Sequence, residues 1–307
     1  MRRTDLYALS DLERGQIEFN NRRLERFYYN GPGAWVRPTR ASGPTVSQMH
    51  RVFRATQRDV DLVEIMEVAH EETFDEKLPW RSQIRGTCVG QGAATAADMV
   101  MSVAWLVFNK LIPGRAAVAT AYAGSRVEVA NRPGSWDGSN GVWVAKWVRD
   151  WGVATIQELG LSHGELAADE RLGIRWTASR AGVPEKFEKI SRERPVANTP
   201  QVTTAEELIA CMESGNPVIH GSNLIPYDRD TDNVVDVRRA GGHLTVFGGI
   251  RWVNGEPQIK YVNSWSRLWG RNGCVWISMR DAVRILSQDD SYAFVGMQGL
   301  VPSIPLL

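Results

Sequence analysis

Apolar positions follow two different regimes along this chain. From Ala93 to Phe108 the residues are almost continuously small or apolar, with few breakers, and both the length and the alanines predict a buried helix ending near Asn109 and Lys110. After Pro113-Gly114, residues 116–129 form another apolar helical segment, and residues 142–151 form a short helix closed by Gly152. Thr204-Ala205-Glu206-Glu207 carries a capping-box pattern that starts a helix ending near Gly215. Beyond this point the runs shorten to strand length: 217–221, 244–248, 258–262, 275–278 and 292–295. Asn254-Gly255 supplies a hairpin turn between the second and third of them. Helices first and strands later predict an α+β chain with two lobes, the helical lobe preceding the strand-rich one.

Two regions resist this reading. Residues 12–29 are rich in arginine with only a loose helical face, Asn30-Gly31-Pro32-Gly33 is a breaker, and 38–44 continues as loop. Residues 46–69 hold a second helical pattern. The stretch 157–200 is charged and irregular and offers no motif. The domain division is therefore an N-terminal extension, 1–70, and a main domain, 71–307.

Composition excludes more than it proposes. At 307 residues the chain can bury a sizeable core, and its 36 basic and 35 acidic residues nearly cancel, which speaks against nucleic acid or an anionic membrane as partner. No apolar segment is expected to span a bilayer. Asp5, Asp11 and Glu13 interrupt the start, so no secretory signal is read there, and a cytoplasmic location is expected. Three sparse cysteines, Cys88, Cys211 and Cys274, argue for a reducing compartment. Cys211 and Cys274 read as structural. No cysteine–histidine spacing suits zinc, so neither metal nor cofactor is expected.

The chemistry centres on Arg85-Gly86-Thr87-Cys88-Val89-Gly90-Gln91-Gly92, which leads into the long apolar run. Cys88 falls at or just before the helix N-terminus, where free backbone N–H groups and the helix dipole favour a thiolate. Far along the chain, Gly241-Gly242-His243-Leu244-Thr245 sets a histidine at the head of a strand, and Tyr261-Val262-Asn263-Ser264-Trp265-Ser266 follows. Cysteine, histidine and asparagine in this order suit a nucleophile, its base and an amide that orients the ring. His220 ends a strand without flanking glycines, and it reads, like His50, His70 and His163, as a structural or surface histidine.

These blocks resemble papain-like cysteine peptidases, in which Asn-Ser-Trp-Gly-x-x-Trp-Gly-x-x-Gly follows the histidine strand. Here the run is Asn263-Ser264-Trp265-Ser266-Arg267-Leu268-Trp269-Gly270-Arg271-Asn272-Gly273, with Ser266 in place of the first glycine. The resemblance covers residues 75–300 in patches. It implies a papain-like two-lobed fold with an antiparallel, β-barrel-like second lobe, the site lying in the cleft between the lobes. It also implies a cysteine-type endopeptidase acting on peptide or protein substrates, with Cys88, His243 and Asn263 as the catalytic set. By the same resemblance Gln83 steadies the oxyanion, one residue closer to the cysteine than is usual. Trp265 shields the histidine–asparagine bond, and Gly138, Asn140 and Gly141 touch the substrate backbone. The disulfide cysteine that secreted members place three residues before the nucleophile is replaced by Arg85. The family's inhibitory pro-segment pattern is only partly met, since Glu18 and Arg22 fit and Arg26 does not, so a docking arm or an extra packing layer is favoured for residues 1–70. The rival reading is an assembly protein, such as a component of a viral or cellular particle, that keeps this fold for docking.

Overall fold

A computed structural model describes residues 57–134, 137–227 and 234–300. The expectations for 1–56, including the helix at 12–29, the breaker, the pro-segment or docking arm and His50, lie outside the described residues.

The fold is built around one helix. Helix α1 (Leu62–Phe74) starts at Asp61, whose carboxylate accepts the Val63 and Glu64 amides. Helix α2 (Cys88–Phe108) follows and is buried from Cys88 to Trp105. By length and apolarity α2 could cross a bilayer, contrary to the expectation that no segment is long enough. In this fold, however, it is packed among α1, a further helix α3 (Val118–Gly124) and the sheet. α3 continues into a five-residue π turn, Ser125–Val129. Helix α4 (Gly141–Asp150) is next, and the unreadable stretch 157–200 turns out to contain α5 (Leu166–Thr177) and α6 (Glu185–Ser191). Their polar faces blur the apolar period on which a sequence reading depends.

The second lobe is a six-stranded antiparallel sheet. Its path runs β6 (Cys274–Ser278), β5 (Glu256–Val262), β4 (Val237–Val253), β3 (Val218–Pro226), β7 (Ser291–Ala293), and β1 (Val60–Asp61) pairs with β4 off this path. The sheet is open, which corrects the barrel-like expectation. β2 (Val196–Asn198) and β8 (Val295–Met297) form a separate ribbon, so the single strand expected at 292–295 is split between β7 and β8. The capping box is formed as read: Thr204 and Glu207 bond reciprocally at the start of α7 (Ala205–Glu213). Asn254 and Gly255 both have positive φ (53° and 81°), the conformation a tight β4–β5 hairpin needs. α8 (Met279–Leu286) packs back on the sheet.

The boundary expected at residue 70 falls inside α1. β1 pairs with β4 at Val60–Ile250 and Asp61–Gly249, and α1 packs on α2, so residues 60–74 share the core of the main domain.

Asp98 is the charged residue buried inside α2. Its Oδ2 accepts from the Arg81 guanidinium (2.8 Å) and Arg115 Nε (2.9 Å), and its Oδ1 from the Ala116 amide (2.7 Å); all three side chains are buried. Burial pushes the carboxyl pKa up, but the Arg115 and Arg81 charges outweigh it and hold Asp98 below the usual range. Two guanidiniums thereby bind the approach to Cys88 and the entry to α3 onto the central helix. Asp98→Ala leaves both cations buried and unpaired. A loss of about 3–5 kcal/mol is expected from breaking such a pair, to be measured by urea unfolding.

Candidate functional site

The cysteine end of the site depends on close helix packing. Cys88 is the first residue of α2. A Cβ placed on Gly92, one turn later, would lie 2.4 Å from Leu244 Cδ2, so a larger residue there would have to displace the Leu244 side chain that packs α2 against β4. Leu244 follows His243, so the contact of Gly92 with Leu244 brings the first turn of α2 against the strand that carries His243. The glycines around the cysteine thus act through packing.

Two buried acids, in the stretch where the sequence showed no motif, hold the segment before Cys88 and the start of α3. Glu170 on α5 accepts the amides of Ile84 (3.0 Å) and Arg85 (3.2 Å) and the Thr87 hydroxyl. Its neighbour Asp169 accepts the Val118 (2.8 Å) and Ala119 (3.0 Å) amides at the start of α3. A pair of adjacent acids on an otherwise amphipathic helix is the only sequence signal for this role.

The histidine end is set by β4 and β5. His243 Nε2 lies 2.9 Å from Asn263 Oδ1. That oxygen also accepts the Ser264 amide (2.8 Å), which identifies it as the carbonyl side of the amide group and makes Nε2 the protonated nitrogen. Nδ1 is left with the lone pair that a base needs. Trp265 stacks on the imidazole with ring centres 4.7 Å apart and 22° between planes. Gln83 bridges to the same region: its amide N–H donates to Ser264 O (2.9 Å) and its Oε1 accepts the Ser264 hydroxyl (2.6 Å). Gln83 Nε2 donates one hydrogen to Arg85 O (2.9 Å), which leaves the second for another acceptor.

The glycine loop is divided in its roles. The Gly138 amide donates to Gly86 O (3.0 Å), two residues before Cys88; φ is +99° and the space where a Cβ would stand is open. The Gly141 amide instead donates to Asp290 Oδ2 (2.7 Å), and the Val142 amide to Asp290 Oδ1 (2.9 Å). Asp290 also accepts the Gly221 amide through its backbone carbonyl (2.8 Å). It therefore caps α4 and links it to β3. Asn140 precedes α4 without capping it, and its buried Oδ1 has no partner. Gly138 thus stands with the cysteine segment, whereas Gly141 is committed to capping. Nothing in the local sequence marks Asp290, which lies 149 positions away from its helix.

Burial raises the Cys88 pKa against the opposing hydrogen bonds of the Leu244, Val89 and Cys88 backbone. Burial lowers that of His243, against the Asn263 hydrogen bond. Both effects favour the neutral thiol and neutral imidazole, so the thiolate expected from the helix terminus is offset by desolvation. The other histidines differ in kind. His220 is fully buried, stacks on Phe247 (3.9 Å) and meets Thr245 Oγ1 through Nε2 (3.0 Å), a core role as read. His70 is also buried, and burial, then the Arg115 charge, lowers its pKa to about 4. Ser266, where the resemblance calls for glycine, has φ +80°.

No family model matches the chain, and no curated protein matches its sequence. Solved structures do match in fold. One is xylellain, a cysteine protease from Xylella fastidiosa, at 13% identity and TM-score 0.51, over 78% of this chain and 85% of that one. Another is procathepsin B S9 from Trypanosoma congolense, at 14% identity and TM-score 0.54, over 91% and 88%. A third is the proform of the ragweed pollen cysteine protease Amb a 11, at 15% identity and TM-score 0.53, over 81% and 68%. These likenesses show the fold.

Three expectations follow. Alkylation at rising pH labels Cys88 ahead of Cys211 and Cys274, because Cys88 starts a helix and is the most exposed of the three thiols, 9% against 3% and 5%; peptide mapping that finds equal rates would contradict this ordering. Ser266→Gly stabilises the protein, since a non-glycine residue in the left-handed region costs about 1–2 kcal/mol and glycine's unfolded-state entropy returns only part of it. Burial lifts the Asp169 pKa to about 6, above the roughly 3.9 of an unfolded aspartate. Its contribution is therefore full below pH about 4 and fades as pH rises through about 6. Relative to Asp169→Asn, whose amide stays neutral throughout, wild type should lose stability as pH rises through that interval, measured by denaturant titration.

Proposed function

From a papain-like two-lobed peptidase fold, we propose that this protein is a cysteine-type endopeptidase whose catalytic residues are Cys88, His243 and Asn263. The observation that carries the reading is the His243–Asn263 hydrogen bond, which keeps Nδ1 free as a base on the strand against which the Cys88 helix packs. Burial favours the neutral thiol and the neutral imidazole, and His243 Nδ1 takes the thiol proton as Cys88 Sγ attacks a peptide carbonyl. The Sγ–C bond forms and the carbonyl oxygen takes the electron pair. Its charge is met by the Cys88 amide and the remaining Gln83 Nε2 hydrogen, and one such donor contributes about 2.7–4 kcal/mol of transition-state stabilisation.

His243 then protonates the leaving amine as the C–N bond breaks, giving a thioester. Water, deprotonated by the same nitrogen, hydrolyses the thioester and restores the thiol. Asn263 and the Trp265 ring orient the imidazole through both steps. Gly138, open at its α-carbon and adjacent to Gly86, is the backbone along which the peptide lies.

Cleavage of a peptide library tests the assignment. Cys88→Ala should abolish turnover. Asn263→Ala should keep the fold, as seen by circular dichroism, and lose less than the about 10²–10⁴-fold that general-base catalysis supplies. Wild-type turnover in Asn263→Ala would remove Asn263 from the mechanism. No cleavage by the wild-type protein, together with a Cys88 inert to thiol-directed epoxides, would favour the assembly-protein reading.

A further inference from the structure

On the side of the helical lobe formed by the end of α1, three ligand-type side chains converge: His70, Glu76 and His163. Their nearest donor atoms all lie within 4.8 Å of one another. The chain geometry explains the meeting. α1 stops at Asp75, which adopts the left-handed conformation (φ 55°), and this reversal returns Glu76 beside the His70 ring six residues earlier. His163 arrives from the turn ahead of α5, next to Gly164, where a Cβ would meet nothing within 4 Å. Phe74 packs against both imidazoles, with ring centres 4.7 Å from His70 and 4.9 Å from His163.

The decisive feature is His70. It is 2% exposed, and neither ring nitrogen has a hydrogen-bond partner. Its Nε2 points at Glu76 Oε1 from 3.6 Å, too far for a hydrogen bond. A buried imidazole with two unmet nitrogens is costly unless something completes it. His163 Nε2 meets the same Oε1 at 2.6 Å, so one carboxylate oxygen serves two rings, and Glu76 is 44% exposed, which leaves a solvent route in.

We propose that His70 Nε2, His163 Nε2 and the Glu76 carboxylate form a metal site suited to Zn²⁺ or a similar borderline ion. Two imidazoles and a carboxylate, with water in a fourth position, are a normal zinc donor set. Bond lengths near 2.0–2.2 Å require only that the three atoms spread about a common centre. Binding replaces the His163–Glu76 hydrogen bond. His163 carries its proton on Nδ1 or releases it, and His70 presents a neutral lone pair. The Arg115 cation near His70 is already paired with Asp98. The ion would staple α1, the start of the 76–87 approach and the turn leading into α5, the helix whose Glu170 holds residues 84–87. No sequence spacing signals the site, because its third ligand lies far along the chain from the other two.

The test uses the full chain carrying Cys88→Ser, so that the reactive thiol takes up no metal, freed of ions by chelator and dialysis. Titration calorimetry with ZnCl2 should find one saturable ion per chain, and thermal unfolding should move upward with added Zn²⁺. Co²⁺ in its place should give visible d–d absorption. His163→Ala and Glu76→Gln alter partly exposed positions that fold without strain; each should weaken Zn²⁺ binding more than tenfold and remove the thermal shift. Absence of saturable uptake by the Cys88→Ser protein overturns the proposal. So does uptake that both ligand variants leave unchanged.

Discussion

A carboxylate cannot remain charged inside an apolar helix without cations beside it, and this requirement at Asp98 shapes the helical lobe. Arg81 and Arg115 are brought to it from either side of α2, and each also donates to a backbone carbonyl: Arg81 to Ala116 and Arg115 to Pro79. The approach to Cys88 and the entrance to α3 are tied to the same point by charge-assisted bonds that tolerate little displacement. A purely apolar helix of this length could slide or rotate in its packing; one with a buried, doubly paired aspartate cannot.

Upon that anchor, the acids of the helical lobe and Asp290 perform one task repeatedly. Glu170 collects the amides before Cys88, Asp169 those at the start of α3, and Asp290 those at the start of α4. Each neutralises free N–H groups that a helix start or a loop would otherwise bury unpaired. The backbone amides before Cys88 and at the starts of α3 and α4 are therefore held in place, and Gly92 lets α2 pack against β4 where His243 begins. Burial has the opposite electrostatic effect, since it favours the neutral forms of both the thiol and the imidazole.

What local sequence determined is considerable. The unbroken apolar run specified α2 and placed Cys88 at its start, because a 21-residue helix needs no partner to be recognisable. The capping box, the Asn-Gly hairpin and the β3–β6 strands were legible for the same reason: each is encoded by residues within a few positions. His243, Asn263 and Trp265 were readable as a motif, and the hydrogen bond and ring stack between them follow from adjacent strands. Tertiary structure alone decided the rest. The open sheet, the division of the last strand and the pairing of β1 with β4 depend on partners far away in sequence. The capping of Gly141 by Asp290, the grip of Glu170 on the approach to Cys88 and the meeting of His70 with His163 join residues scores of positions apart. No local pattern encodes such encounters; they exist because burial favours the pairing of charged and hydrogen-bonding groups wherever the chain happens to bring them together.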